Sequence, residues 1–139
     1  MNPGLFVCYN SAGDSMERIE KQMQFILEID KEKQIKRKTL QSNGQDFEDD
    51  AQHAWHMAIM TLLLSEYANE EIDVLKTISM LLIHDLVEID AGDTYAYDDQ
   101  GLKTQSKREA LAANRIFNLL PEDQAKKVFD LWNEFEERK

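Results

Sequence analysis

The feature that most constrains the fold is an apolar run that begins at Ile78 and contains a histidine beside an aspartate, His84 and Asp85. Its composition predicts a core segment. The pair offers one neutral nitrogen ligand and one anionic oxygen ligand, which suits a first-row divalent metal ion. Glu88 follows His84 by four positions and, on a continuous helix, shares its face. The alternative is a helix-terminal histidine beside a solvated aspartate.

A second histidine, His53, strengthens the metal hypothesis. It lies near the start of another apolar-periodic segment, which the polar break Asn69-Glu70-Glu71 separates from the first. If that break is a short antiparallel turn, the two helices fold back about residue 69. His53 precedes Asn69 by nearly as many residues as His84 follows it. The two imidazoles are therefore expected at the same height in the bundle.

This pattern resembles the HD-domain metal-dependent phosphohydrolases. It consists of His53, the doublet His84-Asp85, then Glu88, and Gly92 followed by Asp93. The similarity is closest to the small bacterial branch that looks like 5′-deoxyribonucleotidases, and it runs from about Met16 to the last residue. Members of the family are all-helical enzymes that hydrolyse phosphate esters. The resemblance therefore implies an all-α HD-domain bundle of about five helices.

The resemblance also implies roles for individual residues. His53, His84 and Asp85 would be ligands of a divalent cation, which could be Mn, Co, Mg, Fe, Ni or Zn. Glu88 and Asp93 would be active-site acids, with Glu88 acting on the attacking water and Asp93 on the leaving sugar oxygen.

Arg37 is a candidate substrate-binding residue. It lies within a basic run, and such a run is usually a solvated face. The family, however, places an arginine in this region near the substrate phosphate, and Arg37 resembles it. A guanidinium grips a phosphate in two places, whereas an ammonium is a point charge.

The chain departs from the family pattern in two places. Gln52 stands before the first histidine, where this branch usually has glutamate. The family's further aspartate ligand lies beyond the helix that contains Trp132, and no position here matches it. We therefore expect an under-coordinated metal site and an open apolar face around Leu131, Trp132 and Phe135. A second copy, as a homodimer, or residues 1–15 would cover that face.

Composition limits the other possibilities. A chain of 139 residues is long enough for one domain with one core. With 27 acidic and 16 basic residues and a formal net charge of −11, it is a poor partner for nucleic acid. We expect no membrane span. The single Cys8 cannot form an intramolecular disulfide, which fits a reducing cytoplasm.

Periodicity predicts the order of the elements. Residues 1–15 read as an irregular N-terminal extension and residues 16–139 as the HD domain, lacking its C-terminal helices. Tyr95 and Tyr97 are candidates for stacking on a base or for ordinary rim contacts. Helices are expected over about 16–30, 50–67, 72–87 and 102–119 and again from Pro121, with loops over 39–50 and 90–99.

The sequence therefore predicts a metal-dependent phosphohydrolase that acts on a small nucleotide, by analogy a (deoxy)ribonucleoside 5′-monophosphate. The absence of a matching fourth ligand keeps an alternative open, a catalytically silent nucleotide-binding or interaction protein on the same scaffold. A third hypothesis takes two histidines and one carboxylate as an iron oxygenase triad.

Overall fold

The computed structural model describes residues 11–93 and 99–137, which form a mainly helical bundle. The elements are α1 (Ser11–Ile29), a 3-10 turn (Asp30–Gln34), β1 (Lys36–Leu40), β2 (Phe47–Asp49), α2 (Asp50–Leu64), a 3-10 turn (Ser65–Tyr67), α3 (Val74–Ile83), α4 (Glu88–Ala91), α5 (Asp99–Phe117) and α6 (Glu122–Glu137). The predicted all-α bundle is confirmed, since the sheet is one short hairpin. No helix in the described ranges has the length and apolarity to cross a bilayer.

The core forms where α5 and α6 meet the turn between α3 and α4. Phe117 is completely buried, and its ring lies 5.1 Å from the Phe129 ring and 6.2 Å from the Trp132 ring. Leu86 and Val87, at the end of the predicted apolar run, belong to the same cluster. The core thus holds in place the segment that follows His84 and Asp85.

A small hairpin occupies part of the region expected to be loop. Strands β1 and β2 are antiparallel, with Lys36 opposite Asp49 and Leu40 opposite Phe47. The chain turns between them, within the loop predicted over 39–50, and Gly44 has a φ of 70° there that favours glycine. The strands themselves were missed, because β1 is short, mostly exposed and rich in charge. The hairpin matters here because it carries Arg37.

The first helix starts earlier than predicted. α1 begins at Ser11, whereas the periodic apolar signal begins only at Met16. The backbone continues the helix upstream of its first apolar side chain, which periodicity alone does not reveal. Residues 1–10 lie outside the described residues, so the predicted irregular extension stays a prediction there.

The predicted open apolar face on α6 is wrong. Trp132 is only 8% exposed, and Leu131 and Phe135 are partly buried against the bundle. Many of the exposed apolar side chains lie instead on the first two long helices. On α2 we define the α2 outer stripe as Trp55, Ile59, Leu62 and Leu63, which are 40–65% exposed. Met16, Ile19, Met23, Ile26 and Leu27 on α1 are exposed as well.

Candidate metal centre

The two histidines meet because α2 and α3 run in opposite directions about the connection between them. Asp49 fixes the start of α2 through a capping box. The Asp49 carboxylate accepts from the Gln52 backbone amide, and the Gln52 side-chain oxygen accepts from the Asp49 backbone amide. The His53 and His84 ring centroids are 5.9 Å apart. The predicted proximity of the two rings is confirmed.

Both imidazoles are oriented through Nδ1. His84 Nδ1 donates to the Leu81 carbonyl oxygen at 2.6 Å, and His53 Nδ1 lies 3.2 Å from Glu48 Oε1. These acceptors place a proton on Nδ1 in each ring, which leaves His53 Nε2 as a bare nitrogen. His84 Nε2 lies 3.0 Å from Asp85 Oδ2 and carries a second proton toward that carboxylate until a cation takes its place. Carbonyl and carboxylate partners of this kind orient histidine ligands in metal sites. Both rings are therefore prepared to coordinate through Nε2.

Asp85 completes a group of three donors. One ligand atom each from His53, His84 and Asp85 lies within 4.8 Å of the others, and His84 Nε2 is 3.0 Å from Asp85 Oδ2. Donors on opposite sides of one first-row cation are roughly 4 Å apart, since each bond is about 2 Å long. The nitrogen, nitrogen and oxygen donors therefore fit one divalent cation.

The charges at the cluster match this chemistry. Burial is the main cause that lowers the pKa of His53, which keeps its ring neutral. Burial alone would raise the pKa of Asp85, but the His84 hydrogen bond and nearby positive charge outweigh it, so the carboxylate stays ionised. Burial lowers the pKa of His84, but the hydrogen bond and negative charge of Asp85 raise it by more, so the net pKa is raised. A cation must displace the His84 proton, so its affinity should fall as the pH is lowered.

Arg37 extends from β1 to the edge of the cluster. Its Nη1 donates to Asp85 Oδ2 at 2.9 Å and to Asp50 Oδ1 at 3.1 Å. The side chain is 19% exposed. Arg37 therefore orients one candidate ligand while its side chain stays partly exposed. Its contact with a phosphate stays a prediction.

Glu88 does not share a helical face with His84, so that premise is wrong. α3 ends at Ile83, and Glu88 is the first residue of α4. The Leu81 carbonyl, which would accept from the Asp85 amide in a continuing helix, accepts from the His84 ring instead. Glu88 is buried, and its Oε2 has no hydrogen-bond partner among the described residues. Burial first, and then the neighbouring Asp50 carboxyl group, raise the pKa of Glu88 to about 10.

Asp93 lies at the same end of the bundle as Glu88. It follows Gly92, whose φ of 75° ends α4, and it is partly exposed. Its negative charge contributes to the raised pKa of Glu88, which places the two carboxyl groups in one electrostatic environment. Tyr95 and Tyr97, the predicted stacking candidates, lie outside the described residues.

The sequence pattern of the HD domain matches residues 29–139, which contain all the donors described above. The chain belongs to the HD-domain family. The family and the three donors together imply a divalent metal cofactor, as predicted. The individual ligand assignments stay predictions.

Relatives of this HD domain have consistent names. The 5′-deoxynucleotidase HDDC2 of Bos taurus is 32% identical over 95 residues, which are 68% of this chain and 44% of that protein. The Dictyostelium discoideum protein of the same name is 32% identical over 123 residues, 84% of this chain and 65% of that protein. The chain thus spans about half the length of the mammalian relatives it matches.

A solved structure resembles this HD domain closely. It is the crystal structure of a predicted metal-dependent phosphohydrolase from Magnetospirillum magnetotacticum MS-1. The TM-score is 0.84 and the identity 47%, over 90% of this chain and 62% of that chain.

Sequence reasoning missed two residues that hold the HD-domain site together. Glu48 anchors the His53 ring, and Asp50 accepts a hydrogen bond from Arg37. From the sequence alone, either Asp49 or Asp50 is a candidate N-cap of the helix that follows. The adjacent pair Asp49-Asp50 indicates a further role for one of the two residues. A helix has only one N-cap position, so the second carboxylate must serve another function.

Proposed function

We propose that the chain hydrolyses the phosphate ester of a small nucleotide, a deoxyribonucleoside or ribonucleoside 5′-monophosphate. The observation that carries the proposal is the group His53, His84 and Asp85 with the Arg37 guanidinium against it. A cation and a fixed guanidinium are the two positive groups that stabilise charge on a phosphoryl oxygen. The names of the relatives support the nucleotide substrate.

Each residue of the site has its own role in the proposed reaction. His53, His84 and Asp85 would hold the cation, which supplies Lewis acidity that activates water near neutral pH. Arg37 binds the phosphate oxygens through the donors that its two carboxylate partners leave available. Glu88 would orient the attacking water or, when it is ionised, take its proton, and Asp93 would assist the departing sugar oxygen.

A phosphate-release screen tests the proposal. Nucleoside 5′-monophosphates with ribose and with deoxyribose are compared with 3′-monophosphates, each with added manganese, cobalt or magnesium. We expect metal-dependent release from the 5′-esters. Complete inertness across these nucleotides and metals would overturn the enzyme proposal and favour the silent nucleotide-binding protein. Tight binding of a nucleotide without turnover identifies that alternative.

Glu88→Gln should separate metal binding from turnover. Glutamine has nearly the shape of glutamic acid and carries no charge, so the fold and the bound metal should be retained. We expect kcat to fall about 100-fold, within the range that acid–base groups contribute. Glu109→Gln is the matched control, because Glu109 is equally buried on α5, where Gln105 donates to it. Unchanged turnover in Glu88→Gln would remove its carboxylate from the chemistry.

Arg37→Ala should weaken substrate binding more than it changes the metal content. A hydrogen bond to a charged group contributes about 1.5–3 kcal/mol, so we expect KM to rise roughly 10- to 100-fold. Lys38→Ala, an exposed change on the same strand, should leave KM unchanged. The wild-type protein should also bind the nucleotide more tightly than the unphosphorylated nucleoside. Equal affinities for the two would exclude Arg37 as a phosphate contact.

We also propose that two copies associate as a homodimer through the α2 outer stripe. Its side chains share one helical face, and exposed apolar patches of this kind usually mark contacts. Leu62→Glu should therefore halve the mass measured by sedimentation at micromolar concentration, while Glu66→Gln, at an exposed polar position one turn further on, should not. A wild-type protein that stays monomeric at every concentration would refute this.

We propose a cytoplasmic location, which the single cysteine supports because it leaves no intramolecular disulfide to form. A reductant should therefore leave the thermal midpoint unchanged. A midpoint that depends on reductant would count against this location.

A further inference from the structure

The two proposed active-site acids depend on a very short helix. Glu88 is the first of the four residues of α4, and Asp93 follows the glycine that ends it. A helix of one turn has little stability of its own, because nucleation fixes several residues for a single hydrogen bond. The orientation of α4, and with it that of both acids, is therefore set by contacts with the rest of the bundle.

Core packing supplies one part of these contacts. Ile89 and Ala91 of α4 pack against the cluster that contains Phe117. Apolar attraction has no preferred direction, so it fixes the orientation of a short helix less strictly than hydrogen bonds do. A directional contact is needed to set how α4 is turned on the bundle.

Arg115 on α5 makes such a contact. Its Nε donates to Asp90 Oδ2 and its Nη2 donates to Asp90 Oδ1 at 2.7 Å, so it holds both oxygens of a carboxylate on α4. Bidentate pairs of this kind are geometrically specific. Nη2 also donates to Glu28 Oε1 on α1 at 2.5 Å. Arg115 therefore joins α4 to two long helices, two residues after Glu88.

A second arginine of α5 holds the end of α4. Arg108 donates through Nη1 to the Ala91 carbonyl oxygen and through Nη2 to the Gly101 carbonyl oxygen at 3.2 Å. The last carbonyls of a helix have no partner within it, so this donor fills a real vacancy. Arg108 precedes Arg115 by seven positions, which places both on one face of α5. That face therefore contacts α4 at two points.

We propose that Arg115 is a positioning residue for the reaction, which holds Asp90 and thereby sets the orientation of α4 and of the two acids that lie on it and directly after it. This inference rests on the proposed function. Arg115 acts through Asp90 and the short helix rather than on the substrate. Exposed ion pairs add little to the free energy of unfolding, so its effect should be seen in turnover more than in stability.

Arg115→Met tests the role, because methionine keeps an unbranched stem but has no donors. We expect kcat to fall about 10- to 100-fold, since displacing a reacting group by about 1 Å can cost 100-fold. KM and the metal content per chain should stay at wild-type values, because Arg37 and the three metal donors lie on other segments. Arg115→Lys keeps the charge without the planar fork and should give an intermediate kcat.

Arg18→Met is the matched control. Arg18 also holds both oxygens of one carboxylate, since Nη1 donates to Asp123 Oδ1 at 2.7 Å and Nη2 to Oδ2 at 2.9 Å. Its side chain is 43% exposed and that of Arg115 is 46% exposed. The Arg18 pair, however, joins α1 to α6 and does not involve α4. Arg18→Met should lower the thermal midpoint as little as Arg115→Met does and keep the wild-type kcat.

Two further measurements separate positioning from a general loss of stability. Asp90→Asn should also lower kcat, and combining it with Arg115→Met should lower kcat no further, because the two residues form one unit. The Gly92 amide donates to the Glu88 carbonyl oxygen at 2.8 Å and closes α4, so its hydrogen exchange reports on the helix without any substrate. We expect faster exchange of that amide in Arg115→Met and wild-type exchange in Arg18→Met.

The outcomes are distinguishable. An inert wild-type protein overturns the proposed function, and the positioning role with it. An active wild type in which Arg115→Met and Arg18→Met have the same kcat overturns the positioning role alone, as does a lower kcat with unchanged Gly92 exchange. If Arg115→Met does not fold, Asp90→Asn decides. A folded Asp90→Asn protein with wild-type kcat and wild-type Gly92 exchange contradicts the proposal.

Discussion

His84→Ala is expected to abolish both metal binding and phosphate release while the protein stays helical. The ring supplies one of three donors, and its Nδ1 contact with Leu81 fixes the direction of Nε2. Loss of an outer hydrogen-bond partner of a metal ligand already costs 10- to 100-fold in affinity or activity. Removing the ligand itself should cost more than about 100-fold in each.

The metal content is measured by mass spectrometry, and kcat is measured on the same protein. Circular dichroism tests whether the variant is folded. His56→Ala is the matched control, since His56 lies one turn from His53 on the same helix but is exposed beside Trp55. It should keep both metal and turnover. A His84→Ala protein that retains its metal would remove His84 from the ligand set.

Phe117→Ala is expected to have the largest effect on stability. The side chain is completely buried between Phe129 and Trp132, and truncating a core phenylalanine to alanine costs about 3–5 kcal/mol of unfolding free energy. That loss is comparable to much of the stability of a small domain. The segment from Leu86 to Val87 packs on the same cluster, so the metal ligands just before it should loosen too.

Urea unfolding followed by circular dichroism measures this effect. Leu111→Ala on the same helix is the control, because its side chain is 63% exposed and an exposed truncation changes stability by roughly 0.5 kcal/mol or less. Equal midpoints for the two variants would show that Phe117 is not at the centre of the core.

The part of the site that could be predicted is the part that depends on local periodicity. His53 and His84 lie on consecutive helices joined by a short connection, so their distance from the turn fixes their relative height. The ring separation of 5.9 Å agrees with that reasoning. Asp85 directly follows His84 in the chain, so its position near the two histidines could be predicted without further information.

The part that could not be predicted depends on contacts between distant segments. Arg37 reaches Asp85 only because a hairpin with little strand signal lies across the start of α2. The end of α3 at Ile83 follows from one side-chain hydrogen bond, from His84 to Leu81, which periodicity does not encode. The exposure of Leu63 could not be predicted for a similar reason, since an apolar period shows that a helix has an apolar face but not which element covers it.

We propose that His53, His84 and Asp85 hold one divalent cation on which phosphate release depends. The most direct test is to remove metal from the wild-type protein with a chelator and to titrate a divalent cation back while measuring phosphate released from a deoxyribonucleoside 5′-monophosphate. We predict that activity returns in proportion to bound metal and saturates at one cation per chain. Full turnover by the metal-free protein would contradict the account.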